Sequence, residues 1–197
     1  MHLSRAVLNV ESAAARRDIA NPYEMHRTLR RCAPTGGLLW RLENTGYGLP
    51  TVLVQSEEGV DWSQIAVVEP SYCAVIASTK HYDPSFSEGT PLRFRLRANP
   101  SIRQGGKRHG VSTREGQADW LERKAQAGGF KIFALAVRDE RLMQAGKPGH
   151  FIQVASVLYD GRLLVTDSNL FSACLRSGIG PAKSLGFGLL SVAREKS

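Results

Sequence analysis

The sequence predicts an α+β protein built from two similar units in tandem. With 197 residues, 42% of them hydrophobic, the chain can form one sizeable core or two small ones. Strand-like and helix-like segments follow the order βαββαβ in the first half. The second half repeats that order with an extra strand or insertion, although the two halves share no sequence similarity. This order is that of the ferredoxin-like, or RRM-like, unit.

Apolar or alternating runs in the first half predict four strands: residues 2–10, 38–43, 51–56 and 72–78. Ser12 is expected to cap a short helical turn, and Asn21 to begin a second helix. Asn21 and Glu24 have nearly the spacing and residue types of a capping box. Residues 44–48 predict a turn, and residues 61–65 a short helix.

A segment rich in Pro, Ser and Gly, residues 82–91, is the predicted linker between domains of residues 1–81 and 92–197. The second domain should contain strands in five places: residues 92–98, 131–137, 151–158, 163–166 and 187–192. Ser112 with Glu115 predicts a capped helix, and Asp160-Gly161 predicts a hairpin turn. The residues around Gly105-Gly106 are expected to form a polar loop.

The helix that begins after Asn21 carries the chain's most distinctive chemistry. At 100° per residue, its apolar side chains share one side: Met25, Leu29 and Cys32. Its phenol, imidazole and guanidinium groups share the opposite side: Tyr23, His26, Arg27 and Arg30, with Arg31 just beyond. Histidine exchanges protons near neutral pH, arginine binds phosphate, and a helix N-terminus favours an anion. The pattern suits work on a phosphodiester, although an ordinary solvated helix face can look the same.

A basic segment follows the linker. No acidic residue occurs from Gly89 to Arg114, whereas seven basic residues do: Arg93, Arg95, Arg97, Arg103, Lys107, Arg108 and Arg114. The first three lie on one face of a strand and repel one another unless an anion lies over them. The segment therefore favours contact with an anionic partner such as nucleic acid, with a solvated strand and loop as the alternative.

A glycine-rich loop near the C-terminus contains Lys183. It lacks the glycine that a phosphate-binding P-loop requires directly before Lys-Ser, and it leads from a helix into a strand rather than the reverse. Either it is a flexible connection, or its bare backbone approaches a nucleic-acid strand while Lys183 contacts a phosphate.

The composition limits the partners and the compartment. A net charge of +8 favours an anionic partner, either nucleic acid or an anionic membrane surface. The 3 cysteines and 5 histidines are scattered, which predicts a reducing cytoplasm and gives neither a disulfide framework nor the spacing of a metal site. No signal peptide or transmembrane run is apparent, so we expect no membrane partner. Because the cysteines and histidines are dispersed, we expect no metal, and we predict no cofactor.

Several motifs together resemble the CasE endoribonucleases, which cut repeat RNA within the type I-E CRISPR complex, Cascade. The first runs from Ala13 to Leu29 and contains Asn21-Pro22-Tyr23-Glu24-Met25-His26-Arg27. Further matches span nearly the whole chain: Leu39 to Glu43, Leu92 to Pro100, Gly106 to Arg108 and Gly178 to Leu190. The resemblance implies two tandem ferredoxin-like units and makes Tyr23 and His26 the catalytic pair.

The resemblance also implies a substrate and partners. The expected activity is metal-independent cleavage of a CRISPR repeat stem-loop, in which a 2′-hydroxyl attacks its own phosphodiester and leaves a cyclic phosphate. The expected partners are this RNA and other Cascade subunits. The predicted RNA-binding residues are Arg27, Arg30, Arg31, Arg93, Arg95, Lys107, Arg108, Arg138, Arg141, Gly178, Gly180, Lys183, Gly186 and Gly188. The alternative is a ferredoxin-like RNA-binding subunit without catalysis, against which the presence of Tyr23 and His26 argues.

Overall fold

The chain divides into two compact units. The computed structural model describes residues 1–44, 48–83, 85–147 and 150–195. The first unit comprises Met1–Asp83 together with two later segments, Gln144–Ile152 and Lys183–Gly186. The second comprises Pro84–Met143, Gln153–Ala182 and Phe187–Ser197. The predicted linker and domain boundaries stay a prediction.

The first unit is a four-stranded antiparallel sheet with its helices in the ferredoxin-like order. Its elements are β1 (His2–Leu8), α1 (Ala13–Ala20), α2 (Pro22–Cys32), β2 (Leu38–Asn44), β3 (Pro50–Ser56), α3 (Ser63–Ala66) and β4 (Cys73–His81). The strand order is β2-β3-β1-β4, and Ala6 lies opposite Val52 in the central pair. Residues 45–47 of the predicted turn lie outside the described residues.

The second unit repeats this arrangement with an added hairpin. Its elements are β5 (Pro91–Ala98), β6 (Ser101–Gln104), β7 (Lys107–Gly110), α4 (Arg114–Ala127), β8 (Phe130–Lys147), β9 (His150–Val165), α5 (Ser168–Ser177) and β10 (Leu190–Arg194). The strand order is β10-β5-β9-β8, which is again ferredoxin-like, and β6 and β7 form a separate two-stranded sheet. The predicted fold class, α+β with two tandem ferredoxin-like units, is confirmed.

Each unit has its own apolar core between sheet and helices. In the first, α2 contributes Met25 and Leu29, which pack in a cluster that also contains Trp40 of β2. In the second, Leu92, Phe94 and Leu96 of β5 alternate inward, as predicted, and join Trp120 of α4. No helix in the described part of the chain has the length and apolar character that crossing a bilayer would require.

One loop prediction and one turn prediction differ from the structure. The predicted loop around Gly105-Gly106 is the two-residue turn of the β6–β7 hairpin, and both glycines have positive φ. The predicted turn at Asp160-Gly161 is the interior of β9, where Gly161 lies opposite Phe94. A side chain at Gly161 would collide with the Ala134 carbonyl and the Phe94 ring, so glycine serves a close backbone approach here rather than a turn.

Two caps also differ from the prediction. Thr113, not Ser112, caps α4, because its side chain accepts a hydrogen bond from the Gly116 N–H. Asn21 caps α2 as predicted, but its own N–H bonds to the Arg17 carbonyl at the end of α1. That N–H is therefore unavailable to Glu24, and a full capping box does not form.

Candidate active site and RNA-binding surface

The N-terminus and the buried side of α2 fix the position of the predicted catalytic residues. The Asn21 Oδ1 accepts a hydrogen bond of 3.1 Å from the Tyr23 N–H, which caps the first turn. Met25, Leu29 and Cys32 are at most 3% exposed, so the predicted apolar side of the helix is confirmed. Tyr23 and His26 lie on the part of α2 that is not packed into the core, and both are half-buried.

A buried polar network lies beneath this helix. Asp18 of α1 is only 1% exposed, and its carboxylate accepts hydrogen bonds from Arg17 and from the Tyr72 hydroxyl, the latter at 2.8 Å. The same hydroxyl lies 3.7 Å from the sulfur of Met25. Burial and the Asp18 charge raise the pKa of Tyr72, which keeps it a hydrogen-bond donor. The network thus joins α1, α2 and the residue directly before β4.

His26 is poised in its neutral form. Its Nδ1 is buried and has no hydrogen-bond partner among the described residues. Burial lowers the pKa of His26 below the ordinary 6.5, and the positive charge of Arg30 lowers it further. The imidazole is therefore mostly uncharged at neutral pH, which is the form that accepts a proton. Since Nδ1 is enclosed, Nε2 is the nitrogen that can meet a substrate.

Arg30 and Arg27 lie on the same stripe as His26 but have different local partners. The Arg30 Nη1 donates a 2.9 Å hydrogen bond to the Gly36 carbonyl, which holds the chain that follows α2. Arg27 is paired with Glu24 at 3.0 Å, and its guanidinium lies 6.0 Å from the centre of the Tyr23 ring. The structure thus gathers the imidazole, the phenol and two guanidinium groups on one surface of α2, as the helical spacing predicts.

Arg31 faces another part of the surface. Its Nη2 donates to the Thr28 hydroxyl at 3.4 Å. With Arg17 of α1 and Gln64 of α3, it lines a groove of about 140 Å³, and His26 is not part of that lining. The structure therefore does not group Arg31 with the imidazole.

A carboxylate of the neighbouring strand β9 lies beside the arginines on the exposed face of β5. Arg95 donates two hydrogen bonds, of 2.7 and 2.9 Å, to the carboxylate of Asp160 in β9. Arg138 of β8 reaches the same carboxylate at 3.1 Å. The Arg97 Nη1 donates to the Ser156 hydroxyl at 2.8 Å. Asp160, which the Asp-Gly pattern predicted to lie in a turn, thus supplies a negative charge beside these arginines.

The β6–β7 hairpin presents an exposed group of cations. Arg103 and Arg108 lie directly opposite each other across the hairpin, and Gln104 lies opposite Lys107. All four side chains are exposed. Like charges in directly opposed strand positions repel, so a phosphate between the two guanidinium groups would relieve an unfavourable interaction. Arg93 is also exposed, whereas the side chain of Arg141 lies outside what the structure describes.

Two of the glycines predicted to contact RNA shape the connection between α5 and β10. Gly178, with φ 72°, ends α5 and donates its N–H to the Cys174 carbonyl. Gly188, with φ 89°, is buried; its N–H donates to the Arg97 carbonyl and its carbonyl accepts from the Ile179 N–H. Backbone geometry therefore accounts for glycine at both positions, and their contact with RNA stays a prediction.

The other two glycines lie against tryptophan rings. A Cβ built on Gly180 would be 3.0 Å from the Trp120 ring, and one built on Gly186 would be 2.9 Å from the Trp40 ring. Directly before Gly186, residues Lys183–Leu185 form a 3₁₀ turn that contacts both α2 and β2. The turn thus brings half-buried Lys183 to the unit that carries His26.

Among the described residues, no three His, Cys, Asp or Glu side chains converge as they do in a metal site.

Comparison with known proteins identifies the family. A sequence model described as "CRISPR associated protein" matches residues 1–194. The chain is 43% identical to the CRISPR-associated endoribonuclease Cse3 of Thermus thermophilus, over 98% of this chain and 100% of that protein. It is 28% identical to the CRISPR system Cascade subunit CasE of Escherichia coli, over 98% of this chain and 99% of that protein.

Solved structures show the same likeness. The structure of CRISPR endoribonuclease Cse3 bound to a 19-nucleotide RNA matches with a TM-score of 0.91 and 41% identity, over 98% of this chain and 100% of that one. The CRISPR-associated protein Cas6e of Escherichia coli matches with a TM-score of 0.74 and 26% identity, over 99% of this chain and 100% of that one. On the family match and these relatives, the chain belongs to the CRISPR-associated protein family that includes Cse3 and CasE.

Proposed function

We propose that this protein is an endoribonuclease that cuts CRISPR precursor RNA at the repeat hairpin. The proposed place of cleavage is the α2 surface around His26. The observation that carries the proposal is the half-buried His26 beside Arg30, with its pKa lowered so that a neutral imidazole is available at physiological pH. The curated relative of 43% identity is named as an endoribonuclease, and a structure of that relative contains RNA representing a pre-cleavage complex.

The proposed reaction is an internal transesterification. The 2′-oxygen of the nucleotide before the scissile phosphate bonds to phosphorus as its proton passes to the Nε2 of neutral His26. The bond from phosphorus to the 5′-oxygen then breaks, which leaves a 2′,3′-cyclic phosphate and a 5′-oxygen that takes up one proton to become a hydroxyl. Tyr23 orients the phosphate or supplies that proton, and the positive charge of Arg30 stabilises the negative charge that builds up on the phosphorane. The nucleophile comes from the RNA, so the scheme requires no metal ion.

Binding strength comes mainly from the β6–β7 hairpin and Lys183. Arg103 and Arg108 are exposed and directly opposed, so their two guanidinium groups can bind phosphates of a stem together. Lys107 of the same hairpin and Lys183 of the 3₁₀ turn add further phosphate contacts. For Arg95 and Arg138, contact with RNA requires exchange of the Asp160 carboxylate for a phosphate. We further propose that the protein acts as a subunit of Cascade, as the name of the relative of 28% identity suggests. The proposed compartment is the cytoplasm, which the scattered cysteines favour.

The test is cleavage of a labelled repeat hairpin in EDTA, with enzyme in excess. His26→Ala should lower the single-turnover rate by about two to four orders of magnitude while binding of the uncut hairpin changes little. Tyr23→Phe keeps the ring but removes the hydroxyl and should cause a smaller loss. His81→Ala, which removes an exposed histidine from the same unit, is the matched control and should cut normally.

Cleavage by His26→Ala at the rate of the control would remove the imidazole from the mechanism. Wild-type protein that binds the hairpin tightly but leaves it intact would instead support the non-catalytic RNA-binding subunit.

A further inference from the structure

We propose that Gly186 is a positioning residue that, by its close packing on Trp40, holds Lys183 beside the helix that carries His26. This inference rests on the proposed function, because it assigns Gly186 a role in the contact that Lys183 makes with RNA.

The first observation is the lack of space at Gly186. A Cβ at this position would lie 2.9, 3.0 and 3.2 Å from three carbons of the Trp40 ring. Real Cβ atoms do not approach other carbons so closely, so either the ring or the Gly186 backbone would have to move. Gly186 also has φ 85°, a conformation that disfavours any residue with a side chain.

The second observation is that the ring cannot retreat. Trp40 is 2% exposed and belongs to the core cluster that contains Met25 and Leu29 of α2. Protein interiors are close-packed, so displacement of a tryptophan ring would disturb the core around it. The backbone at Gly186 is therefore the part that moves when a side chain is added.

The third observation links that movement to Lys183. The Gly186 N–H donates a hydrogen bond of 3.2 Å to the Lys183 carbonyl, which closes the 3₁₀ turn. Within the turn, Leu185 is 8% exposed, and the turn as a whole contacts α2 and β2. A shift at Gly186 thus passes through one hydrogen bond to Lys183 and changes where its ammonium group lies relative to α2.

The consequence is specific. Gly186→Ala should lower cleavage by displacing Lys183, without removing any group that touches RNA. Misplacement of a contact by about 1 Å can lower a rate by about a hundredfold, so we expect a loss of about ten- to a hundredfold. Ala182→Gly is the matched control in the same loop. Ala182 already has φ 61°, where glycine is preferred, so its replacement should leave both the fold and the rate unchanged.

The experiment is a double-mutant cycle on the second-order rate constant of cleavage at subsaturating enzyme. Its variants are Lys183→Ala, Gly186→Ala and the double mutant, each checked for folding by circular dichroism. If Gly186 acts through Lys183, Gly186→Ala should cost less than about threefold once Lys183 is absent. Full multiplication of the two losses would overturn the proposal, because it would mean that Gly186 acts independently. A wild-type rate for Gly186→Ala would overturn it as well.

A second variant covers the case in which Gly186→Ala does not fold. Leu185→Ala loosens the same turn by removing its buried side chain, and it should show the same lack of additivity with Lys183→Ala. Failure of the proposed function can be told apart from failure of the inference about Gly186, because wild-type protein would then bind the hairpin without cutting it. The cycle is in that case measured on hairpin affinity, where the same non-additivity is expected and multiplication again overturns the inference.

Discussion

The opposed arginines of the β6–β7 hairpin give the sharpest quantitative prediction. Arg103 and Arg108, both exposed, face each other across two short strands, and no acidic residue occurs from Gly89 to Arg114. Replacement of both by glutamine keeps side-chain length and hydrogen bonding but removes two positive charges. If each guanidinium neutralises one RNA phosphate, the change should flatten the plot of log affinity against log salt by about 1.8, at 0.9 per phosphate on a duplex.

The expected loss of affinity depends on the salt concentration. With the intercept at 1 M unchanged, a slope difference of about 1.8 corresponds to a loss of about 60-fold in affinity at about 0.1 M salt and about 9-fold at about 0.3 M. The stability of the protein without RNA should not fall. Because like charges opposed across strands destabilise a pair by up to about 1 kcal/mol, the double mutant should unfold at the same temperature as wild type or slightly higher.

The assay is a salt titration of binding to the uncut repeat hairpin. A matched control, Arg123→Gln with Lys124→Gln, removes two charges from the exposed face of α4 and should change the slope by less than about 0.5. Equal slopes for wild type and the hairpin mutant would refute the reasoning. Equal loss in the hairpin and control mutants would show that net charge, rather than the opposed pair, governs affinity.

Three further predictions concern pH and stability. As the pH is raised, kcat/KM should rise with a midpoint below 6.5 and then stay flat, because His26 must be neutral to accept a proton. Arg30→Gln should move that midpoint upward, because it removes a positive charge that lowers the pKa of His26. A rate that falls across this range would make His26 the acid. Tyr72→Phe removes a hydrogen bond to the buried Asp18 carboxylate and should lower stability by about 1–3 kcal/mol; an unchanged urea midpoint would contradict this. Asp160→Asn weakens a partly exposed ion pair and should lower Tm by about 2–4 °C, about 1 kcal/mol; an unchanged or higher Tm would show that the pair contributes nothing.

Local patterns in the sequence predicted most of the fold and the α2 surface. The apolar positions Met25 and Leu29 follow the helical period, and Asn21 and Pro22 mark where the helix begins, so the face carrying His26 could be predicted without tertiary information. The alternation along β5 was equally informative, because a strand with one buried face requires it.

Contacts between distant parts of the chain could not be predicted in this way. Asp-Gly usually signals a hairpin turn, but Gly161 is needed because the Ala134 carbonyl and the Phe94 ring approach it closely, and neither neighbour is near in sequence. The prediction that arginines on β5 need an external anion failed to include Asp160 for the same reason. The packing of Gly186 on Trp40 likewise has no signature in either segment alone. The β6–β7 hairpin did have a signature in the local sequence, since Gly-Gly between short polar runs is a hairpin signal.

The most direct test of the proposed mechanism is cleavage of a repeat hairpin that carries a single 2′-deoxy nucleotide before the scissile phosphate. In EDTA, wild-type protein should cut the unmodified hairpin, and it should bind the deoxy hairpin with the same affinity but leave it intact, because the nucleophile is missing. Cutting of the deoxy hairpin, or loss of all activity on the unmodified one in EDTA, would contradict attack by the RNA's own 2′-hydroxyl with His26 as its base.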